Sequence, residues 1–453
     1  MADISTPLPA YEAMLSDWQL IDALKGGTRA MRAAGKAYLP QWPAEDDEDY
    51  KIRLGSAVLY PALAQTVENM VGRVFMRPIV LGESIPEVIR QQTADFDLQG
   101  SRLDIVAADW FDEALTYGLS HLLIDYPSVE EQPRNLAEER QSGSRPYATV
   151  INPKQVIGWK SARINGVEKL TQVRIKETVQ EDDGDFGVAS VEQIRVLRRG
   201  SWQVYRAAEN GGWLLFDEGL MSVPDIPLVT LYTNRTGFMT ATPPLIHLAN
   251  LNIKHWQQQS EQDTNLHIAR NPILFLTGIE EGEIKFGSRY ALTSNHPEAK
   301  GSYIEHTGAA IAAGRLALED LKDEMREAGA RLLKKGQAAA KTATESRDDS
   351  INEQSQLGRM AQALEDAVDL ALQYMAAWQG IEQDAGAVAV NDDFDIEVIS
   401  DQSVQSLVQM AAAGQLSTQT LFSELQRRGV LSDDLDWEAE QERIAAGALT
   451  EVA

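Results

Sequence analysis

Apolar residues recur at helical spacing through Tyr11–Leu24 (Met14, Leu15, Trp18, Ile21) until Gly26-Gly27 interrupts them, which predicts a helix. A second long helical segment is predicted over Asp49–Phe75, closed by Arg77-Pro78. Leu103–His121 reads as another helix, and it feeds into HLLIDYP, an apolar burst with the look of a buried strand that stops at Pro127. From Tyr147 to Tyr232 the period drops to two. TVINPKQVIGWKSA, LTQVRIKETV, VEQIRVLRRGSWQVYRA and GGWLLFDEG are short alternating runs separated by NG, DDGD and NGG turn signals, so a meander of strands is expected. The N-terminal half is therefore predicted to be an α+β body.

The pattern changes again at residues 243–270, PPLIHLANLNIKHWQQQSEQDTNLHIAR, a predicted helix whose second half, Gln257–Asn265, is polar on every face. Such a helix persists in water if it bridges other bodies, is laced by side-chain pairs, or packs beside copies of itself around a solvent-filled space. A helix end fraying into a loop is the plainer reading. Three strand-like pieces follow, PILFLTG, SRYALTS and GSYIEHT, set between Gly, Asn and Pro.

Ile311–Lys335 then reads as a charged helix with Leu316, Leu318, Leu321, Met325, Leu332 and Leu333 as its apolar positions. Its acids (Glu319, Asp320, Asp323, Glu324, Glu327) precede a basic end (Arg331, Lys334, Lys335), the order that suits the helix dipole. Gly336 is placed to stop it, and GQAAAKTATES, built of small and polar residues, is expected to be a loop. Ser350 with Glu353 forms a capping-box pattern ahead of Leu357, Met360, Ala361, Leu364, Val368, Ala371, Met375 and Trp378. These predict a helix roughly 45 Å long at about 1.5 Å per residue. FDIEVIS reads as a strand. Three short helices complete the chain: Val404–Ala413 before Gly414, a second from Ser417 to Gly429, and a last one starting at Asp433 or Asp434 around Trp437.

Composition narrows the function. With 453 residues and 43% hydrophobic content the chain can form two or three ordinary domains with real cores. Its 68 acidic against 41 basic residues give a net charge of −27, which argues against a protein that clamps duplex DNA and is compatible with one that lets DNA slide past. The absence of cysteine removes disulfides, zinc–thiolate sites and thiol nucleophiles, and suits a reducing cytoplasm or a particle assembled there. The opening MADISTPLPAYEAML has no basic region followed by an apolar run, and no stretch of about 18 apolar residues occurs, so neither export nor membrane spanning is expected.

Motifs for catalysis are missing. There is no GxxxxGK[ST] loop, no dinucleotide-type glycine pattern, no HExxH and no GxSxG, so no catalytic residue, metal or cofactor is expected. His247, His255 and His267 share a helix, but their spacing spreads them around it, which disfavours a common metal. The run in YLPQWPAEDDEDY and the clusters EDDGD (181–185) and NDDFD (391–395) could hold divalent cations or be solvated surface, and none has calcium-loop spacing. The pairs Arg198-Arg199 and Lys334-Lys335 are too small for a nucleic-acid patch within one chain, though each becomes a charged belt if repeated round a ring.

The segments LIDALKGGTRAMRAAGKAYLPQWPAEDDEDYKIRLGSA, TVENMVGRVFMRP, GLSHLLIDYP, VPDIPLVTLYTNRTG, TATESRDD and AAWQG, in this order of elements, resemble the portal (head-to-tail connector) proteins of tailed bacteriophages. The resemblance spans almost the whole chain. It implies a wing over residues 1–242 with 380–400, stem helices over 243–267 and 313–336, and a small α/β clip over 268–312. It further implies a tunnel loop over 337–346, a long wing helix over 347–379 and a helical crown over 401–453, shorter in clip and crown than larger relatives.

What the resemblance implies in function is a non-enzymatic ring, usually of twelve subunits, at one capsid vertex of the virion, assembled in the host bacterial cytoplasm. Double-stranded DNA passes through it during packaging and ejection. The implied partners are the terminase large subunit, a head-completion or adaptor protein, and major capsid and scaffold proteins. Another head–tail adaptor or minor capsid protein is the nearest alternative, and an acidic metal-dependent hydrolase a more distant one. The tunnel loop would place Gln337, Ala338, Ala339, Ala340, Lys341, Thr342 and Thr344 at the channel, with Lys334 and Lys335 as weaker basic candidates; Trp256, Gln257, Glu261, Met325 and Arg331 would serve the stem and subunit contacts. Lys341→Glu is accordingly expected to reduce the nuclease-protected DNA per particle in vivo, measured by quantitative PCR. Unchanged packaging would discard the Lys341–phosphate contact.

Overall fold

The computed structural model describes residues 3–127, 144–208, 211–270, 273–277, 300–304, 309–333, 355–392, 394, 401–427, 430–431 and 435–450. The chain divides into two compact units, one up to Asp392 and one from Asp393 onward. Helix and sheet are mixed in the first, and the second is helical.

The first unit opens with helices α1 (Pro9–Lys25), α2 (Gly27–Ala34), α3 (Asp47–Ser56) and α4 (Ala62–Val74). The single long helix expected over Asp49–Phe75 is two helices. The first ends at Ser56, where Ala57 turns extended (ψ 135°), and the second starts after Pro61, which has no N–H to donate to a preceding turn. The acidic run before α3 has a structural role. Asp46 caps the helix by accepting from the Glu48 and Asp49 amides at 2.9 and 2.8 Å, and Asp47, Glu48 and Asp49 fill its electropositive first turn. Glu45 pairs with buried Arg53 through 2.6 and 2.7 Å bonds, and this guanidinium lies 4.1 Å from the Trp42 ring centre.

Next come β1 (Val80–Leu81), α5 (Glu87–Gln92) and α6 (Leu103–Tyr117), which delivers the chain into β2 (Leu119–Asp125). Gly118 makes that turn with φ of 91°, and a side chain there would strike the Thr242 carbonyl oxygen at 2.6 Å. Strand β2 is the buried centre of a three-stranded antiparallel sheet, between β3 (Tyr147–Ile151) and β9 (Leu228–Tyr232).

Between β3 and β9 the predicted meander forms an antiparallel sheet of β4 (Val156–Ile164), β5 (Val167–Asp183), β6 (Gly187–Arg198), β7 (Ser201–Ala207) and β8 (Trp213–Leu220), in that spatial order. Its near end shares one core with the first sheet, where Val173, Ile175 and Leu197 meet Leu123, Leu228 and Met239. Arg195 bonds Asp125 on β2 at 2.6 Å and Glu177 on β5 at 3.1 Å, tying the sheets together. Two short strands, β10 (Arg235–Gly237) and β11 (Thr240–Ala241), lead to α7 (Ile246–Ala269).

After α7 come β12 (Ile273–Thr277) and β13 (Lys300–Ile304), which pair antiparallel, then α8 (Ala309–Ala330) with a final 3₁₀ turn over Arg331–Leu333. The expected strand SRYALTS lies outside the described residues. So do Gly336 and the Ser350 cap: the long helix α9 is Gln356–Trp378, and its N-cap is Ser355, whose hydroxyl accepts from the Gly358 amide at 3.0 Å. Its 23 residues give about 35 Å, shorter than expected. The predicted stripe from Leu357 to Met375 is buried, and α9 continues the core of the unit: Val368 and Ala371 face the same interior as Trp110 and Leu122. Gly380, at φ of 66°, ends the helix, and β14 (Val388–Ala389) pairs with β1. All of FDIEVIS except Phe394 lies outside the described residues.

The second unit contains α10 (Asp401–Ala412), α11 (Thr418–Arg427) and α12 (Trp437–Thr450). Ser417 caps α11 as expected, while α12 is capped by Asp436, which accepts from the Ala439 amide at 2.9 Å. Asp433 and Asp434 lie outside the described residues. Phe422 packs on Trp437 with ring centres 5.3 Å apart.

Two substitutions test this account of the core. Leu364, fully buried on α9, should cost about 3 kcal/mol of stability when replaced by Ala. Leu316 on α8 is 54% exposed, so Leu316→Ala should change stability by less than about 0.5 kcal/mol. Urea unfolding followed by tryptophan fluorescence reads both.

Candidate functional site

Helix α7 leaves the body, β12 and β13 pair beyond it, and α8 returns along it. Gln262 donates to the Ile311 carbonyl at 2.9 Å, whereas His255, earlier on α7, faces Lys322, later on α8, so the two helices run antiparallel. Gly314 leaves room for the Gln262 amide: a Cβ there would lie 2.1 Å from its Oε1 and the side chain would have to move.

The polar half of α7 is partly covered by its own chain. Asn252, His255, Trp256, Ser260 and Gln262 are all buried. Asn252 serves α4 directly, accepting from the Leu63 amide at 3.1 Å and donating to the Tyr60 carbonyl at 2.9 Å. Leu63 is in the first turn of α4, where no earlier carbonyl of the helix can take its N–H. Gln257 donates to the Tyr38 carbonyl at 3.1 Å. These polar residues hold α7 to its own chain.

Helix α8 sorts its residues by face. Leu318, Leu321 and Met325 are buried in a stripe spaced by three and four, and Leu332 extends it through the last turn. The outward side is charged. Arg315 pairs with Glu319 at 2.8 Å and Arg326 with Asp323 at 2.6 Å, both pairs exposed, with Asp320 and Glu324 exposed beside them. Exposed pairs of this kind stabilise little and mainly set the surface charge.

Of the residues expected at stem and subunit contacts, Trp256 and Met325 are buried within their own chain, 0% and 1% exposed. Viewed on one helix they look available; the body of the first unit covers Trp256, and α8 turns Met325 inward. Gln257 is half-buried, and Glu261 and Arg331 are exposed. Lys334, Lys335, Gln337, Ala338, Ala339, Ala340, Lys341, Thr342 and Thr344 lie outside the described residues. Sequence reasoning missed Asn252, Gly314 and Lys322. The asparagine and glycine, both poor helix formers inside helices, were the available signal.

His255 is the unusual titratable group here. It is 1% exposed, its ring centre lies 5.4 Å from that of Tyr60, and neither ring nitrogen has a hydrogen-bond partner. Lys322 sits over the other part of this cluster, its Nζ 5.3 Å from the Tyr60 ring centre. Burial, with the Lys322 charge added, pushes the His255 pKa down to about 4. No group of three His, Cys, Asp or Glu that could hold a metal ion occurs among the described residues, and no helix among them is long and apolar enough to cross a membrane.

Comparison with known proteins adds the following. Residues 244–379, which take in α7, α8 and α9, match the model of a family described as a domain of unknown function (DUF4055). No curated protein matches the chain. Among solved structures, it is similar to a chain of the neck of an empty GTA particle computed with C6 symmetry, at 11% identity and a TM-score of 0.42, covering 82% of this chain and 90% of that one. It is likewise similar to a chain of the virion of a native gene transfer agent (GTA) particle, at 11% identity and a TM-score of 0.41, covering 87% and 97%.

Because His255 is neutral when folded and takes a proton near pH 6.5 when unfolded, its contribution to stability is complete above that pH and falls as pH drops toward about 4. Buried His121, pushed down to about 3 by burial, acts in the same direction. His255→Phe should therefore weaken, without abolishing, the loss of stability between pH 7 and pH 5 measured by urea midpoints. An unchanged loss would contradict this placement of His255.

Proposed function

We propose that this chain is a portal protein: copies of it form a ring at one capsid vertex, and duplex DNA passes through the ring during packaging and ejection. One observation carries the reading. Helices α7 and α8 form an antiparallel pair, joined through the β12–β13 pair, whose inner surfaces are spent on the chain's own core while the outward side of α8 carries charge. A pair of this construction fits side-by-side repetition around an axis, with Glu261 and Arg331 among the exposed groups available to neighbours or to the channel.

The charge balance fits the task. Duplex DNA carries one negative charge per about 1.7 Å of axis. A wall of the same sign, beyond a Debye length of about 8 Å, repels it weakly enough for passage and prevents adhesion. The net charge of −27 on each chain is multiplied by the ring. No catalysis is required of the chain in this role. The segment 337–346 is assigned to the channel and β12–β13 to the end that meets terminase and then the head-completion protein.

Immunogold labelling of assembled particles tests the reading against its nearest rival. Label at a single vertex, together with DNA-free heads when the chain is withheld, is the expected result. Label spread over the shell would make it a minor capsid protein, and DNA-filled heads formed without it would make it a tail-side adaptor.

A further inference from the structure

The two outer edges of the five-stranded sheet are treated differently. The β4 edge is covered by the start of the chain: the Leu8 amide donates to the Ile157 carbonyl at 3.0 Å, and Arg174 reaches the Ile4 carbonyl at 2.6 Å. The β8 edge has no strand beside it among the described residues, and it exposes Leu214, Leu215, Phe216 and Leu220 by 66, 48, 58 and 87%. Four exposed large apolar side chains on one open edge strand are the raw material of an interaction site.

The edge is shaped to present side chains rather than to accept another strand. Val204 pairs with Asp217 and Tyr205 with Leu215, so Phe216 is the extra residue of a bulge that interrupts regular pairing. The Arg206 guanidinium lies 3.4 Å from the Phe216 ring centre. Asp217 and Glu218 follow at once, both exposed. Glu218 accepts from Gln203 at 2.9 Å, and neither carboxylate has a cationic partner among the described residues. The ridge therefore reads apolar, acidic, acidic, Gly, apolar.

A complementary hollow lies elsewhere on the same unit. A cavity of about 820 Å³ opens between the start of β5, the 223–226 loop, β9 and α9, with Leu170, Ile226, Phe238 and Leu370 among its apolar walls. Its acid Asp225 is already neutralised by Lys169 at 2.5 Å and Arg199 at 3.0 Å, and those two cations hold its carboxyl below the usual range. Arg235, also lining the cavity, is exposed and stacks 4.9 Å over Tyr232, with no carboxylate partner among the described residues. The hollow thus suits a large apolar side chain with a carboxylate next to it.

We propose that the β8 ridge of one copy of this chain seats in the β5–α9 cavity of a neighbouring copy, with Asp217 or Glu218 against Arg235. In its own chain the ridge is not seated in the cavity: β8 stands three strands, roughly 14 Å, from β5, and Leu220 at the ridge's end is 87% exposed. Used once per neighbour, such a contact runs head-to-tail and can close into a ring; used reciprocally, it gives a two-fold dimer. The inference rests on the ring reading above and names the surfaces that join the ring.

The chain contains no cysteine, so Leu220→Cys and Leu370→Cys introduce the only thiols, both at exposed positions. The full-length double variant is imaged by electron microscopy, oxidised, and run on a denaturing gel. The expected result is a covalent ladder that neither single variant gives. Arg235→Glu should lower its yield, and Arg235→Glu combined with Glu218→Arg should restore it. Rings without a ladder would overturn the inference and leave the ring reading standing. A ladder that stops at two chains would support the contact and overturn the ring. Cross-linking of Leu220→Cys alone would replace the proposal by edge-to-edge pairing, and the absence of both rings and ladder would overturn both readings.

Discussion

The structure depends on how a polar helix is held against a protein body. Helix α7 has too little apolar surface to be buried by the hydrophobic effect alone, and burying its amides without partners would cost roughly 1–3 kcal/mol for each group. Trp256 anchors it in the core. Asn252 satisfies backbone groups at the head of α4, Gln257 the Tyr38 carbonyl, and Gln262 the Ile311 carbonyl on α8. Each of these bonds joins α7 to a different part of the chain, so together they fix its direction as well as its stability.

The position of α8 follows. Its stripe from Leu318 to Met325 is turned inward, with the Gln262–Ile311 bond at one end of the pair and Lys322 over the Tyr60 ring farther along. What is left outside is charge. Beyond the helix pair, α9 packs its apolar stripe into the core and leaves its other face exposed, so segment 334–354 connects two helices that are both anchored in the first unit. In the proposed ring this arrangement gives each subunit a fixed pair of channel helices, α7 and α8, and α8 is followed by a segment that begins and ends at anchored helices.

Much of the fold was legible because periodicity and turn chemistry are local. The stripe of α9, the β4–β8 meander and the Ser417 cap follow from spacing and single residues. The break between α3 and α4 is also local, since Pro61 inside Asp49–Phe75 disfavours one continuous helix. The burial of Asn252, Ser260 and Gln262 was not legible, since it depends on which distant carbonyls and amides the fold brings to α7. For the same reason the burial of Trp256 and Met325 within one chain was not legible. The β8 ridge was visible as WLLFDEG, but an alternating strand does not announce that its sheet leaves one edge open.

The ring itself is the central claim, and the mass of the purified full-length chain by multi-angle light scattering tests it most directly. The account predicts a closed species of about a dozen chain masses that persists on dilution, with a central hole in electron-microscope views down its axis. A monomer or dimer at every concentration, including in the presence of the scaffold and capsid proteins of the same particle, would contradict it.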